Sequence, residues 1–310
     1  MRVFVTGASG HIGSALVPDL LAAGHEVVGL ARSEESAAAV SAAGAEPKLG
    51  TLDDLELLRD SAAAADGVIH LAYRHDISLT DPNGYVVAGA ADLAAIEAMG
   101  AALEGSGKPL VITSGTLGLA RILPPGQLAK ETDAFDPAST LPRVASENAA
   151  IGLAEREVRT SIVRLSPTVH SSLDHHGFVP SLVNIARDKG VSAFVGDGAN
   201  RWPAVHTLDA ASLFRLALEA APAGARLHGA ADEGVPYREI AEVIGRHLGV
   251  PVASISRDEA EAHFGFLGAF VGTDNPTSST LTQELVGWHP THAGLIADLD
   301  EGHYFAQVTT

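Results

Sequence analysis

At 310 residues, with 46% hydrophobic side chains and a mean hydropathy of +0.17, the chain is long enough for a doubly wound sheet with a smaller lobe and has the apolar content of a globular protein. No apolar run reaches, uninterrupted, the length a membrane helix needs, and the absence of cysteine excludes disulfides, thiolate catalysis and cysteine-based metal sites. A formal net charge of −18 opposes nucleic-acid backbones and anionic membrane surfaces, so neither is an expected partner.

The first apolar run, Val3-Phe4-Val5, passes directly into Thr6-Gly7-Ala8-Ser9-Gly10-His11-Ile12-Gly13 and then Ala15-Leu16-Val17. Strand, glycine-rich turn and helix in that order predict a dinucleotide site. The glycines permit a tight turn and bring backbone close to a pyrophosphate, and the free N–H groups at the helix start attract phosphate. An ordinary glycine-rich turn is the plainer alternative. A strand beginning at Arg2 leaves no room for a signal peptide, so the cytoplasm is the expected compartment.

Farther along, apolar runs without alternation at 27–30, 67–71, 110–112 and 161–163 are separated by Ala-rich helical segments near 33–43, 53–64, 84–105 and 143–158. Short, continuously apolar strands between helices predict a parallel sheet covered on both faces, an α/β doubly wound fold of Rossmann type. After Arg164 the pattern loosens into a Ser, His and Gly-rich loop over 166–177, with helices near 179–189, 208–220 and 236–248 and a strand at 226–230. The expected organisation is a dinucleotide-binding domain over 1–165, completed by the strand near 226–230, and an interleaved substrate lobe over 166–310.

The G-x-x-G-x-x-G spacing at Gly7, Gly10 and Gly13 resembles that of the extended and atypical short-chain dehydrogenase/reductases. Phe178-Val179-Pro180 and residues 196–211 resemble the substrate-lobe passage of the extended members, so the likeness covers nearly the whole chain. The usual Tyr-x-x-x-Lys pair of that family is absent: four residues beyond Tyr73, Tyr85, Tyr237 and Tyr304 stand Ile77, Gly89, Ala241 and Val308. Any catalysis must be arranged differently.

The resemblance implies a nicotinamide cofactor held by Thr6, Gly7, Ser9, Gly10, His11, Ile12 and Gly13, with Leu52, Leu71, Ala72 and Thr113 farther along. After the second strand stand Arg32 and Ser33, with no acid before Glu34, which favours NADP(H) over NAD(H); a solvated Arg32 at a helix start is the alternative. Thr51 stands where the family's acid beside the adenine would be. His70 reads as packed inside its strand.

For the reacting end, the family places a Ser or Thr hydroxyl at the end of the strand over 111–113. Ser114 is the first candidate, with Thr113 and Thr116 competing because one register step changes which hydroxyl faces the cleft. Arg143 and Glu147 occupy the places of the missing Tyr and Lys. Arg143 stays protonated and so would stabilise an oxyanion electrostatically; an Arg143–Glu147 salt bridge along the helix is the alternative. A histidine would handle the proton, His75 first, in Tyr73-Arg74-His75-Asp76. His170 and the group Asp174-His175-His176 form a second cluster. Substrate contacts are expected from Tyr73, Thr116, His170, Arg201 and Trp202, and a capping role from Asp209. The spacing of the histidines matches no strong metal motif, so no metal is expected.

Together these features predict NADP(H)-dependent hydride transfer to or from a carbonyl or alcohol carbon of a small organic substrate. A homodimer joined through a helical face is what the resemblance implies for assembly. An epimerase or dehydratase that recycles the cofactor internally is the nearest alternative, and a non-catalytic dinucleotide sensor is the rival from another class.

Overall fold

The computed structural model describes residues 1–78 and 83–306. Strands and helices alternate from the start: β1 (Arg2–Thr6), α1 (His11–Ala22), β2 (Glu26–Ala31), α2 (Glu34–Ala42), β3 (Glu46–Leu49), α3 (Leu55–Ala64) and β4 (Gly67–His70). The short α4 (His75–Ser78) and long α5 (Gly84–Leu103) precede β5 (Pro109–Gly115), α6 (Pro142–Leu153) and β6 (Arg159–Leu165). Next come β7 (Thr168–His170), α7 (Phe178–Lys189), β8 (Ser192–Val195), β9 (Arg201–His206) and α8 (Thr207–Ala220). The last elements are β10 (Ala225–Gly229), β11 (Asp232–Pro236), α9 (Tyr237–Leu248), β12 (Val252–Ile255), α10 (Ala260–Phe264), α11 (Thr280–Val286) and α12 (Leu295–Asp300).

Seven strands form one parallel sheet in the order β10-β6-β5-β4-β1-β2-β3. Because both faces are covered, successive residues of each strand bury into opposite cores. Val3, Val5, Ile69, Val111 and Val163 pack with Leu16 and Leu20 of α1 and Phe214 of α8. Phe4, Val68, Leu110, Ile112 and Ile162 pack on the other face with Leu58 of α3, Ile96 of α5 and Leu153 of α6. The strand order reverses between β1 and β4, the place where an open α/β sheet leaves a crevice beyond its strand ends.

The second half adds a three-stranded sheet, β11-β9-β7, and a two-stranded one, β12-β8, around their own apolar cluster. Strand β10 returns to the large sheet beside β6, close to the expected 226–230. Several elements had no apolar signature. β3, Glu-Pro-Lys-Leu, is exposed along its length at the sheet edge, where a proline costs no ladder bond. β7 lies inside the segment expected to be a loop, and β9 holds the expected contacts Arg201 and Trp202.

One expectation is corrected. Gly84–Leu103 is long and apolar enough, by length and composition, to cross a membrane. In the fold it is α5, with half of the apolar stretch buried and core residues such as Ala95, Ile96 and Met99 packed among those of the sheet and its covering helices.

Candidate active site

A cleft of about 570 Å³ opens beyond the C-terminal ends of β1, β2, β4 and β5. Its floor is the glycine loop between β1 and α1. Gly7 has φ +72°, and a Cβ there would stand 2.8 Å from the Ala72 nitrogen. At Gly13 a Cβ would meet the Gly7 carbonyl oxygen at 2.1 Å. Only glycine allows this backbone packing. No side chain caps the start of α1, so its first turn is left to a ligand from the cleft. Ser9, Gly10, His11, Ile12, Leu52, Leu71 and Ala72 line the cleft with the glycines, as the sequence suggests. These residues fit a pyrophosphate-bearing dinucleotide: the loop has no room for a side chain at Gly7 or Gly13 and offers backbone at the helix start.

Arg32 lines the same cleft with Arg74, which sequence reasoning did not single out. Arg32 is largely solvated and Arg74 half-buried, and both make loose ion pairs, Arg32 with Asp76 at 3.8 Å and Arg74 with Asp53 at 3.4 Å. Ser33 does other work. It caps α2, its Oγ accepting from the Ser36 N–H at 3.2 Å, and the chain turns away from the cleft there. Thr51 is likewise bound locally, donating its N–H and hydroxyl to Asp54 at 2.6 and 3.0 Å.

At the far end the expected hydroxyl changes register. Thr113 lines the cleft, its hydroxyl donating to the His70 carbonyl at 2.9 Å, whereas Ser114 is buried and absent from the cleft wall. Neighbouring strand residues face opposite sides, so one step decides the matter. Thr116 is fully buried and accepts from Asn275 Nδ2 at 2.9 Å.

Arg143 does not pair with Glu147. Buried Glu147 is taken by Arg164, which binds it through Nε and Nη2, and by Arg226 at 3.2 Å. Arg143 instead points Nη1 at Asp92 Oδ2, 3.4 Å away, and sets its guanidinium 4.3 Å from the centroid of the Tyr73 ring. Asp92 is buried in α5 and belongs to a chain of polar contacts. The Ala72 N–H donates to Thr6 Oγ1 at 3.2 Å, Thr6 Oγ1 lies 2.7 Å from His70 Nδ1, and His70 Nε2 lies 3.2 Å from Asp92 Oδ1. The contacts are mutually consistent if Thr6 donates to Nδ1 and His70 carries its proton on Nε2. Burial pulls the Asp92 carboxyl upward, but the His70 hydrogen bond and the Arg143 charge outweigh it and hold Asp92 below the usual carboxylate range. The sequence carried one clue, an acid within an Ala, Val and Gly-rich helix, where a buried charge needs a partner.

Tyr73 and His75 line the cleft side by side, with ring centroids 4.9 Å apart. Burial raises the Tyr73 phenol to about 12 against the opposing charge of Arg143. His75 is exposed on the short α4, yet enclosure on its cleft side and the Arg143 charge lower its pKa.

Three expected substrate contacts lie elsewhere. Trp202 is fully buried, its ring centroid 5.8 Å from Phe178 and 5.0 Å from Tyr237. Arg201 is bound by Asp274, Nε to Oδ1 at 3.0 Å and Nη2 to Oδ2 at 2.8 Å. His170 is fully buried with Nδ1 2.9 Å from Asp298. Trp202 on β9 and His170 on β7 point into the lobe, while Arg201, the neighbour of Trp202 on β9, stays partly exposed and is held by Asp274. Asp209 does not cap α8. His206 caps it, while Asp209 accepts from the N–H groups of Thr291 and His292 at 3.0 Å each and from His292 Nδ1 at 2.8 Å.

The second histidine cluster meets the glycine loop. His11 Nε2 lies 2.7 Å from Thr207 Oγ1, and His11 Nδ1 lies 3.8 Å from Asp174 Oδ1. Burial and neighbouring histidines lower the His11 pKa to about 4, and burial raises that of Asp174 to about 6.

The sequence model of the NAD dependent epimerase/dehydratase family matches residues 3–228. The chain belongs to this family. An uncharacterized protein of Schizosaccharomyces pombe is 51% identical over 305 residues, covering 98% of this chain and 100% of its own. An uncharacterized protein of Saccharomyces cerevisiae is 45% identical over 301 residues, covering 96% and 98%. Among solved structures, the UDP-glucose 4-epimerase of Thermus thermophilus in complex with NAD superposes with a TM-score of 0.73 at 23% identity, covering 99% of this chain and 100% of that one. Family membership and the shared fold agree with the dinucleotide-type architecture of the glycine-loop cleft.

Proposed function

We propose that this family member is an NADP(H)-dependent oxidoreductase that moves hydride to or from a carbonyl or alcohol carbon of a small organic substrate. The observation that carries the reading is the cleft itself, with the glycine loop at its floor and Tyr73 and His75, backed by Arg143, on its wall. When bound, the nicotinamide supplies the hydride chemistry. Gly7, Gly10 and Gly13 would hold the pyrophosphate at the start of α1, and Leu52 is the candidate contact for the adenosine. Arg32 and Arg74 supply two guanidinium groups for a 2′-phosphate, which supports NADP(H) over NAD(H).

Arg143 stabilises negative charge on the reacting oxygen, in the electrostatic role a fixed guanidinium can play. Ser114 is the weaker candidate for a hydrogen bond to that oxygen, because Thr113 has the cleft-facing position. The experiment is a titration of the purified protein with NADPH and NADH followed by NADPH oxidation at 340 nm over a panel of neutral aldehydes and ketones. Saturable NADPH binding with turnover supports the proposal; binding of neither dinucleotide overturns it.

A further inference from the structure

The phenolic oxygen of Tyr73 is buried and makes no hydrogen bond among the described residues, although Tyr73 forms part of the cleft wall. An orphaned buried hydroxyl costs free energy, which a ligand oxygen accepting from it would recover. The groups around it suit a proton donor. The Arg143 guanidinium lies 4.3 Å from the ring centroid, where its charge favours a phenolate, and Asp92, itself held by His70, fixes the guanidinium from behind. On the other side the exposed His75 ring stands 4.9 Å from the Tyr73 ring.

We propose that Tyr73 is the catalytic residue that donates the proton, with His75 reloading it from solvent, a reading that rests on the oxidoreductase function above. In the reductive direction a reduced nicotinamide bound in the cleft would supply a hydride with its electron pair to the carbonyl carbon, and the C–O π pair would move onto oxygen. That oxygen takes the Tyr73 proton as the phenolic O–H bond breaks, giving the alcohol and a phenolate. The phenolate recovers a proton from solvent through His75, and the oxidative direction reverses each step. Burial, which raises the phenol to about 12, keeps it protonated before reaction. The chain thus places a tyrosine from the β4 edge at the reacting end, while an arginine occupies the helix position where a tyrosine is usual.

Tyr73→Phe removes the hydroxyl and keeps the ring under Arg143. Three measurements on the variant and the wild type test the assignment: thermal melting of the ligand-free protein, NADPH affinity by fluorescence, and NADPH oxidation with 9,10-phenanthrenequinone, benzaldehyde and cyclohexanone. The expected result is melting at or above the wild-type temperature, because the lost group had no partner, an NADPH Kd within about twofold, and at least a tenfold loss of kcat, general acids commonly contributing about 10²–10⁴-fold. A smaller loss of kcat, or melting several degrees lower in the ligand-free variant, overturns the assignment to Tyr73 while leaving the oxidoreductase reading intact. Wild-type protein that oxidises NADPH with none of the three carbonyls removes both.

Discussion

The guanidinium of Arg143 reaches back 51 residues to Asp92, at 3.4 Å, and ignores Glu147 one turn along its own helix. Glu147 is fully engaged by Arg164 and Arg226. The orientation of Arg143 over Tyr73 is therefore set by a buried acid on α5 and, through His70 and Thr6, by the end of β1 where the glycine loop begins.

Asp92→Asn leaves Arg143 without its countercharge and leaves His70 with a neutral partner. Breaking a largely buried pair from one side is expected to cost on the order of 3 kcal/mol, read as a fall in denaturant midpoint. NADPH affinity should change little, because Asp92 is outside the cleft, while kcat falls as Arg143 loses its fixed position. A variant as stable and as active as the wild type rules out this role for Asp92.

Arg32→Ala and Arg74→Ala test the preference for NADP(H). A charge-assisted hydrogen bond contributes about 1.5–3 kcal/mol, so each variant should weaken NADPH by roughly 10- to 100-fold and leave NADH nearly unchanged. Equal losses for both cofactors assign the two arginines to general electrostatics.

Asp174 predicts a specific pH dependence of stability. Its carboxyl is raised from 3.8 to about 6 by burial, so the folded state binds the proton more tightly than the unfolded chain does. The resulting stability is complete below the unfolded value and is lost as pH rises from about 4 to about 6, on the order of 3 kcal/mol in all. Buried His11, lowered to about 4, acts in the opposite direction over an overlapping range, so the test is a difference. The stability of Asp174→Asn relative to wild type should rise between pH 4 and pH 7, and a flat difference contradicts the shift.

Trp202→Ala should cost about 3–5 kcal/mol through the cavity it leaves among Phe178, Tyr237 and their neighbours. NADPH affinity measured well below the new melting temperature should be preserved. A selective loss of affinity would return Trp202 to the cleft wall.

Much of the sheet was legible because β1, β2, β4, β5 and β6 are buried on both faces and so read as uninterrupted apolar runs. The glycine loop was legible because Gly7 and Gly13 are required by contacts with nearby backbone. β3 was not, since an exposed edge strand buries nothing. The proposed reacting end was legible only in part. Tyr73 and His75 could be found as residue types just after β4 and Arg143 at the start of α6, but Asp92 is distant in sequence, and the choice between Thr113 and Ser114 depends on one step of strand register. Trp202, Arg201 and His170 look available in the sequence; only the packing of the C-terminal segments shows that Trp202 and His170 are buried and that Asp274 holds Arg201.

Whether the glycine-loop cleft holds a nicotinamide dinucleotide is decided by a calorimetric titration of wild type and Gly13→Ala with NADPH. A methyl group at residue 13 would stand 2.1 Å from the Gly7 carbonyl oxygen and 2.7 Å from the Ala8 backbone, so the glycine loop must shift to admit it. The expected result is saturable binding to the wild type and at least a 100-fold weaker Kd, about 3 kcal/mol, for a folded Gly13→Ala protein. A wild-type protein that binds neither NADPH nor NADH, or a variant that binds NADPH equally well, would contradict it.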